Sequence, residues 1–264
     1  MRVLIVTAVP AERDAVVRGI GATAPEVAEL PVPGGVIRRL SPVPPAGPPL
    51  TVDVLAAGVG PAAAAAGTAA ALTAAAVART PYDLAVSAGI GGGFGTAPLG
   101  SVVVADAIVA ADLGAETPDG FAAVTELGFG TVEHLPPAPL VAAVTGAAGA
   151  VRGTVLTVST VTGSAERAAE LLGRHPGAVA EAMEGFGVAE AAAAQSVPVL
   201  EVRAVSNAVG PRDRAAWRIG EALDALGGAF GKIASVLGTR PSGPESPDLD
   251  PDLDLDPDLE GTRQ

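Results

Sequence analysis

Short runs of apolar, β-branched residues alternate with Ala-rich helical runs along this chain, and that alternation limits the fold more than any other feature. Val3 to Thr7 is continuously apolar, the signature of a strand covered on both faces. Helix is expected to resume near Glu12 and run through Val16 and Val17. Thr51 to Ala57 is a second such strand, followed by Gly58-Val59-Gly60-Pro61 and an Ala run from 62 to 78. Leu84-Ala85-Val86, Gly100 to Val109, Arg152 to Thr160 and Val199 to Val205 repeat the strand pattern. Buried strands alternating with helices predict an α/β fold: a single three-layer domain over residues 1–239, with a central mixed, largely parallel sheet flanked by helices. Residues 31–50, rich in Pro and Gly, read as a loose hairpin or edge segment. Residues 111–138 have no clear period and read as surface loop or short strands. The last helix places Trp217, Leu223, Leu226, Phe230, Ile233 and Leu237 at helical spacing, a core face. Residues 240–264 are Pro- and Asp-rich, low in complexity and expected to be disordered.

Composition narrows the chemistry. The net charge of −13 argues against nucleic acid and against an anionic membrane surface. Part of it is local, since residues 241–264 hold eight acids and one base. Aromatics are only 3%, too few for base-stacking platforms. There is no cysteine, and the two histidines, His134 and His175, are far apart, so no metal centre and no cofactor is expected. The Ala run lacks the bulky apolar residues of a spanning helix, and the amino-terminal run is too short for a signal peptide. The expectation is a cytoplasmic protein.

Parallel sheets bind ligands beyond the carboxyl ends of their strands, so polar groups there are the first candidates. Glu12 lies just past the first strand; it is either a functional carboxylate or a first-turn acid favoured by the helix dipole. Ser87-Ala88-Gly89 and the glycines to Gly95 end another strand and read as a binding loop or a merely flexible one. Gly58-Val59-Gly60-Pro61-Ala62-Ala63 fits a dinucleotide fingerprint, but the acid expected after the next strand is absent. Thr160 to Thr162 end a further strand, and Ser164 is a plausible N-cap beyond it. Asp112 and Glu116 read as solvated acids. Residues 179–207 hold the densest signal: Met183-Glu184 at the head of an Ala-rich helical run, then a strand ending in Ser206-Asn207. Helix and strand thus deliver a carboxylate and a carboxamide to one place.

These segments resemble the purine nucleoside phosphorylase and nucleosidase superfamily. The matching stretches are VTAVPAERDAV, VSAGIGGGFG, GSVVVADAIVAADLG, TVSTVTGS, VAEAMEGFGVA and VRAVSNAVGPRDRAAWRI. The last is most similar to the branch that hydrolyses futalosine, a nucleoside on the route to menaquinone. The resemblance implies release of hypoxanthine from an N-ribosidic bond, a nucleoside as partner and a homo-oligomer. It implies that Glu12 activates the attacking water and that Ser87 and Gly89 lie by ribose and water. Met183 and Glu184 would hold the ribose and Asn207 would face the purine; Thr162, at its strand's end, is expected to converge on the same cleft. Arg212 and Arg214 would meet the carboxylate at the 5′ end of such a substrate, or simply cap a surface loop. Adenine-releasing nucleosidases carry Asp where this chain has Asn207. An enzyme acting on methylthioadenosine or adenosylhomocysteine, and a nucleoside-binding protein without turnover, are the alternatives.

The chemistry suits these residue types. Cleaving a ribosyl C–N bond develops positive charge on the sugar and negative charge on the base. A carboxylate near the anomeric carbon stabilises the first and takes the proton of water. A carboxamide can both donate to and accept from a purine edge, but it cannot supply a proton. An acid in the first loop also disfavours a phosphate co-substrate, which needs cationic or amide groups.

Overall fold

The computed structural model describes residues 1–21, 27–43 and 50–237. The expected acidic tail, residues 240–264, lies outside the described residues, as does part of the segment 31–50. The sheet is mixed. Strand β1 (Arg2–Thr7) pairs in parallel with β4 (Leu50–Ala56) on one side and β5 (Leu84–Gly93) on the other. Beyond β4 lies an antiparallel edge hairpin of β2 (Val27–Val32) and β3 (Gly35–Val43). This is the hairpin that the Pro- and Gly-rich segment implied.

On its other side β5 pairs in parallel with β12 (Val199–Ala208), which runs antiparallel to β6 (Val102–Ala110). The order continues through β10 (Val151–Thr157) to β11 (Ala178–Ala182), both pairings parallel. The sheet then closes on itself. Gly92 and Gly93 at the far end of β5 pair antiparallel with Glu181 and Ala180 of β11. Five strands (β5, β12, β6, β10 and β11) therefore form a ring, and the glycine-rich stretch is a strand of that ring rather than a loop. Glycine permits it. A Cβ at Gly91 would sit 2.7 Å from the Glu181 carbonyl oxygen, and one at Gly93 would lie 2.7 Å from Val205 Cγ1. Residues 111–138 contain a short hairpin, β7 (Gly114–Thr117) and β8 (Gly120–Ala123), and β9 (Glu133–His134), which pairs with β6.

Strand alternation sends side chains to two helical layers. Val3 and Ile5 pack with α1 (Pro10–Gly21), α3 (Ala138–Ala148) and α6 (Ile219–Leu237). Leu4 and Val6 pack with α2 (Pro61–Val77) and α5 (Gly185–Ala193). The Ala-rich sequences let helix pairs approach closely; Gly187 of α5 rests against the backbone of Pro61, where no side chain would fit. A smaller cluster, with Leu156 and Leu171, seats α4 (Ala165–Arg174). Ser164 caps α4 by accepting from the Arg167 amide at 3.1 Å, as its position implied. Trp217 does not belong to the core face of α6. It ends a 3-10 turn, Arg214–Ala216, just before that helix, and is partly exposed. Among the described residues no helix is long and apolar enough to cross a membrane.

Candidate active site

A cavity of about 400 Å³ opens where β1, β5, β11 and β12 end, a volume suited to a small organic ligand. Its lining includes Glu12, Gly91, Gly92, Thr162, Glu181, Met183, Glu184, Asn207, Arg212 and Trp217. The cavity thus lies at the strand ends, where the polar candidates were expected.

Glu12 comes from the first turn of α1 and is 4% exposed. Its Oε2 accepts from the amides of Ala8 at 3.0 Å and Val9 at 3.2 Å, and its Oε1 accepts from the Ile90 amide at 2.9 Å. The carboxyl therefore bridges the β1–α1 turn and β5. Burial pushes its pKa above the usual 4.5, and nearby Glu184 adds to the rise; Arg203 and the amides of Ile90 and Val9 oppose it. A carboxylate that is desolvated yet held in one rotamer by three donors has the properties that a general base requires.

Glu184 is the residue before α5 and faces the same cavity. Its Oε1 accepts from Gly60 N at 3.1 Å, and its Oε2 accepts from Arg203 Nη1 at 3.2 Å. The Gly58-Val59-Gly60 turn is thus no dinucleotide loop. Gly60, at φ +92°, turns its amide toward this carboxylate, a backbone geometry that favours glycine.

Arg203, at 0% exposure, was not anticipated. Its Nε donates to Glu201 Oε1 at 2.8 Å, Nη1 to Glu184, and Nη2 to Ser87 Oγ at 2.9 Å. Desolvation would lower the guanidinium pKa, but the carboxylates Glu201, Glu184 and Glu12 raise it further. Glu201 is itself buried, and its pKa is pushed up by that burial. The signal in the sequence was two opposite charges two residues apart in an apolar strand. Such spacing puts both on one face of β12, where each can satisfy the other.

Two expected positions shift accordingly. Ser87 and Gly89 do not line the cavity. Ser87 is fully buried and holds Arg203 from below. Gly89 gives the site room: a Cβ there would sit 2.6 Å from Arg203 Nη1 and 2.7 Å from Glu12 Oε1. Both residues position the charged groups and lie a layer beneath the ligand space.

Asn207 reaches the cavity through a β-bulge. Val205 pairs with Gly91, but Asn207 pairs with Gly92, so Ser206 is the extra residue. Asn207 Nδ2 donates to the Ala208 carbonyl at 3.0 Å, and Ser206 Oγ lies 2.9 Å from Asn207 Oδ1. These contacts fix the orientation of the amide. They leave one N–H donor and one lone pair of Oδ1 for a ligand. At the mouth, Arg212 and Arg214 lie 5.3 and 5.9 Å from the Trp217 ring centroid. Arg212 lines the cavity and Arg214 does not. His134 bonds Glu190 at 2.7 Å, and among the described residues no group of His, Cys, Asp and Glu is arranged to hold a metal.

Comparison with known proteins gives the family. Residues 3–237 match the model of the phosphorylase superfamily. Futalosine hydrolase of Streptomyces coelicolor is 68% identical, over 90% of this chain and 97% of that protein. Futalosine hydrolase of Helicobacter pylori shares the fold, with a TM-score of 0.72 at 16% identity over 89% of this chain and 98% of that one. So does the 5′-methylthioadenosine/S-adenosylhomocysteine nucleosidase of Neisseria meningitidis, at 0.71 and 19% over 89% and 99%. The chain belongs to the phosphorylase superfamily and, within it, to the futalosine hydrolases.

Proposed function

We propose that this protein hydrolyses the N-ribosidic bond of futalosine, releasing hypoxanthine and leaving dehypoxanthine futalosine, in the cytoplasmic route to menaquinone. The observation that carries the reading is one cavity wall joining Glu12, Glu184, Met183 and Asn207; the kinship names the nucleoside.

In this reading Glu184 accepts hydrogen bonds from the ribose hydroxyls, and Met183 packs on the sugar. Water attacks the anomeric carbon as the C–N bond breaks. Its proton passes to Glu12, and the bonding electrons pass to the purine. The free donor and acceptor of Asn207 match O6 and a protonated N7 of a 6-oxopurine, while the proton on N7 comes from solvent. Water is the nucleophile because the cationic group nearest the reaction centre is already spent. Arg203 is enclosed by Glu201, Glu184 and Ser87, and Glu12 occupies the space an anion would need. Thr162 lines the same cavity. The protein acts as a homo-oligomer without a cofactor.

Hypoxanthine release from futalosine, assayed beside adenine release from methylthioadenosine, tests the proposal. Turnover of futalosine supports it; turnover of methylthioadenosine alone, or binding of both without release of base, overturns it. The 5′ carboxylate of futalosine is assigned to Arg212. Arg212→Ala is expected to raise KM about tenfold, as loss of one charge-assisted hydrogen bond does. Arg214→Ala, which removes only a neighbour of Trp217, is expected to change KM less than threefold by steady-state kinetics.

A further inference from the structure

Glu181 is a buried carboxylate in the cavity wall that the reaction above does not use. It is 4% exposed, although it lies in a five-residue strand that is otherwise Ala and Val. Its Oε1 accepts from the Thr162 amide at 2.9 Å, and its Oε2 is bonded by the Thr162 hydroxyl. Each oxygen keeps a lone pair beyond those contacts. A structural carboxylate has no need of a cavity wall, and apolar residues would serve β11 better at lower desolvation cost.

Its register gives it a task. Glu181 pairs with Gly92 on β5, and Gly92 pairs with Asn207 on β12. The three therefore form one row across the sheet, with Glu181 and Asn207 two strand spacings, about 10 Å, apart. The bulge at Ser206 creates this row; in regular register Asn207 would face Gly93. Between them Gly92 must lack a side chain, since a Cβ there would come 2.9 Å from Val209 Cγ2 and 3.3 Å from Asn207 Nδ2. A flat ring lying on Gly92 would have a carboxamide at one edge and a carboxylate at the other.

We infer that Glu181 accepts the N1–H of the leaving 6-oxopurine and so sets which base the site takes. Hypoxanthine carries a proton on N1 and adenine a bare lone pair there. Asn207 alone cannot separate the two, because a carboxamide can also pair with N6 and N7 of adenine. A carboxylate at N1 can: it bonds the 6-oxopurine and faces the adenine lone pair with like charge. Thr162 serves as its anchor, holding both oxygens so that the free lone pairs point inward.

The inference rests on the hypoxanthine reading, and the test separates the two. Calorimetric titration of the intact protein with hypoxanthine and with 1-methylhypoxanthine reads the N1–H directly. Glu181→Gln, which conserves size, is expected to weaken hypoxanthine roughly tenfold and to leave 1-methylhypoxanthine unchanged. Glu181→Asp, which retains charge but withdraws it by one methylene, is expected to do the same and covers the case in which Gln fails to fold. Thr162→Val, which removes the hydroxyl half of that anchor, is expected to weaken hypoxanthine in the same direction and to change 1-methylhypoxanthine little. If Glu181→Gln and Glu181→Asp weaken both bases equally, or neither, the residue only anchors the 160–163 turn and the inference falls. If wild-type protein releases no hypoxanthine from futalosine, the functional proposal falls instead.

Discussion

Glu12→Gln is expected to lower kcat for hypoxanthine release by about 10²–10⁴, the usual worth of a positioned general base, with KM changed little. The loss has two sources. The amide cannot take the proton of the attacking water. In addition, both oxygens of Glu12 accept from backbone N–H groups, so whichever becomes NH₂ faces a donor. Single-turnover release and a thermal melt on the same sample separate chemistry from folding. Full activity in the variant would remove Glu12 from the mechanism. The pH profile adds an independent reading. Burial, chiefly, raises the Glu12 pKa above 4.5. The ionised form is the base, so kcat/KM should fall as pH drops through that raised value. The acid limb should therefore lie above 4.5 and disappear in Glu12→Gln.

The largest stability effect is expected at Arg203. Arg203→Met leaves Glu201 and one oxygen of Glu184 unpaired inside the protein. Removing one partner of a buried ion pair costs about 3–5 kcal/mol. For a chain of this size that is a drop of roughly 10 °C in Tm. The double variant Arg203→Met, Glu201→Met should recover a good part of the loss, because an apolar pair of similar volume replaces the buried charges. Urea unfolding of the single and double variants measures both. A double variant no more stable than the single would show that the pair with Glu184, not Glu201, dominates. The raised pKa of Glu201 fixes the pH trend. The folded form holds that proton more tightly than the unfolded form does. Its contribution to stability is thus complete at acidic pH and is lost as pH rises through the folded value.

The layer order and several residues of the cavity wall were legible because they rest on local signals. Apolar runs marked β1, β4 and β12, and polar residues just beyond strand ends marked Glu12, Thr162 and Asn207. What stayed hidden depended on pairing between distant segments. Gly91, Gly92 and Gly93 read as loop because glycine has no strand propensity, yet β12 pairs with all three and β11 with Gly92 and Gly93. β11, five residues of Ala, Val and Glu just ahead of the helical run, carried no strand signal of its own, and Glu181 went unread with it. Trp217 looked helical by spacing, but the 3-10 turn before α6 ends with it. Ser87 and Gly89 were placed one layer too high because a strand end does not tell which side chain meets ligand and which meets Arg203.

The antiparallel pairing of β5 with β11 has a kinetic consequence. It makes the Gly92 wall of the cavity part of a closed hoop, with β11 on one edge and β12 on the other. The amides of this stretch cannot open one at a time. They should exchange with deuterium only when the hoop as a whole gives way, far more slowly than glycine-rich segments usually do. With a wall that does not breathe, the free base would leave on the solvent-facing side of the cavity, where Val59, Val161 and Ile219 are exposed. Turnover, where product departure limits it, would then be governed by the motion of that side.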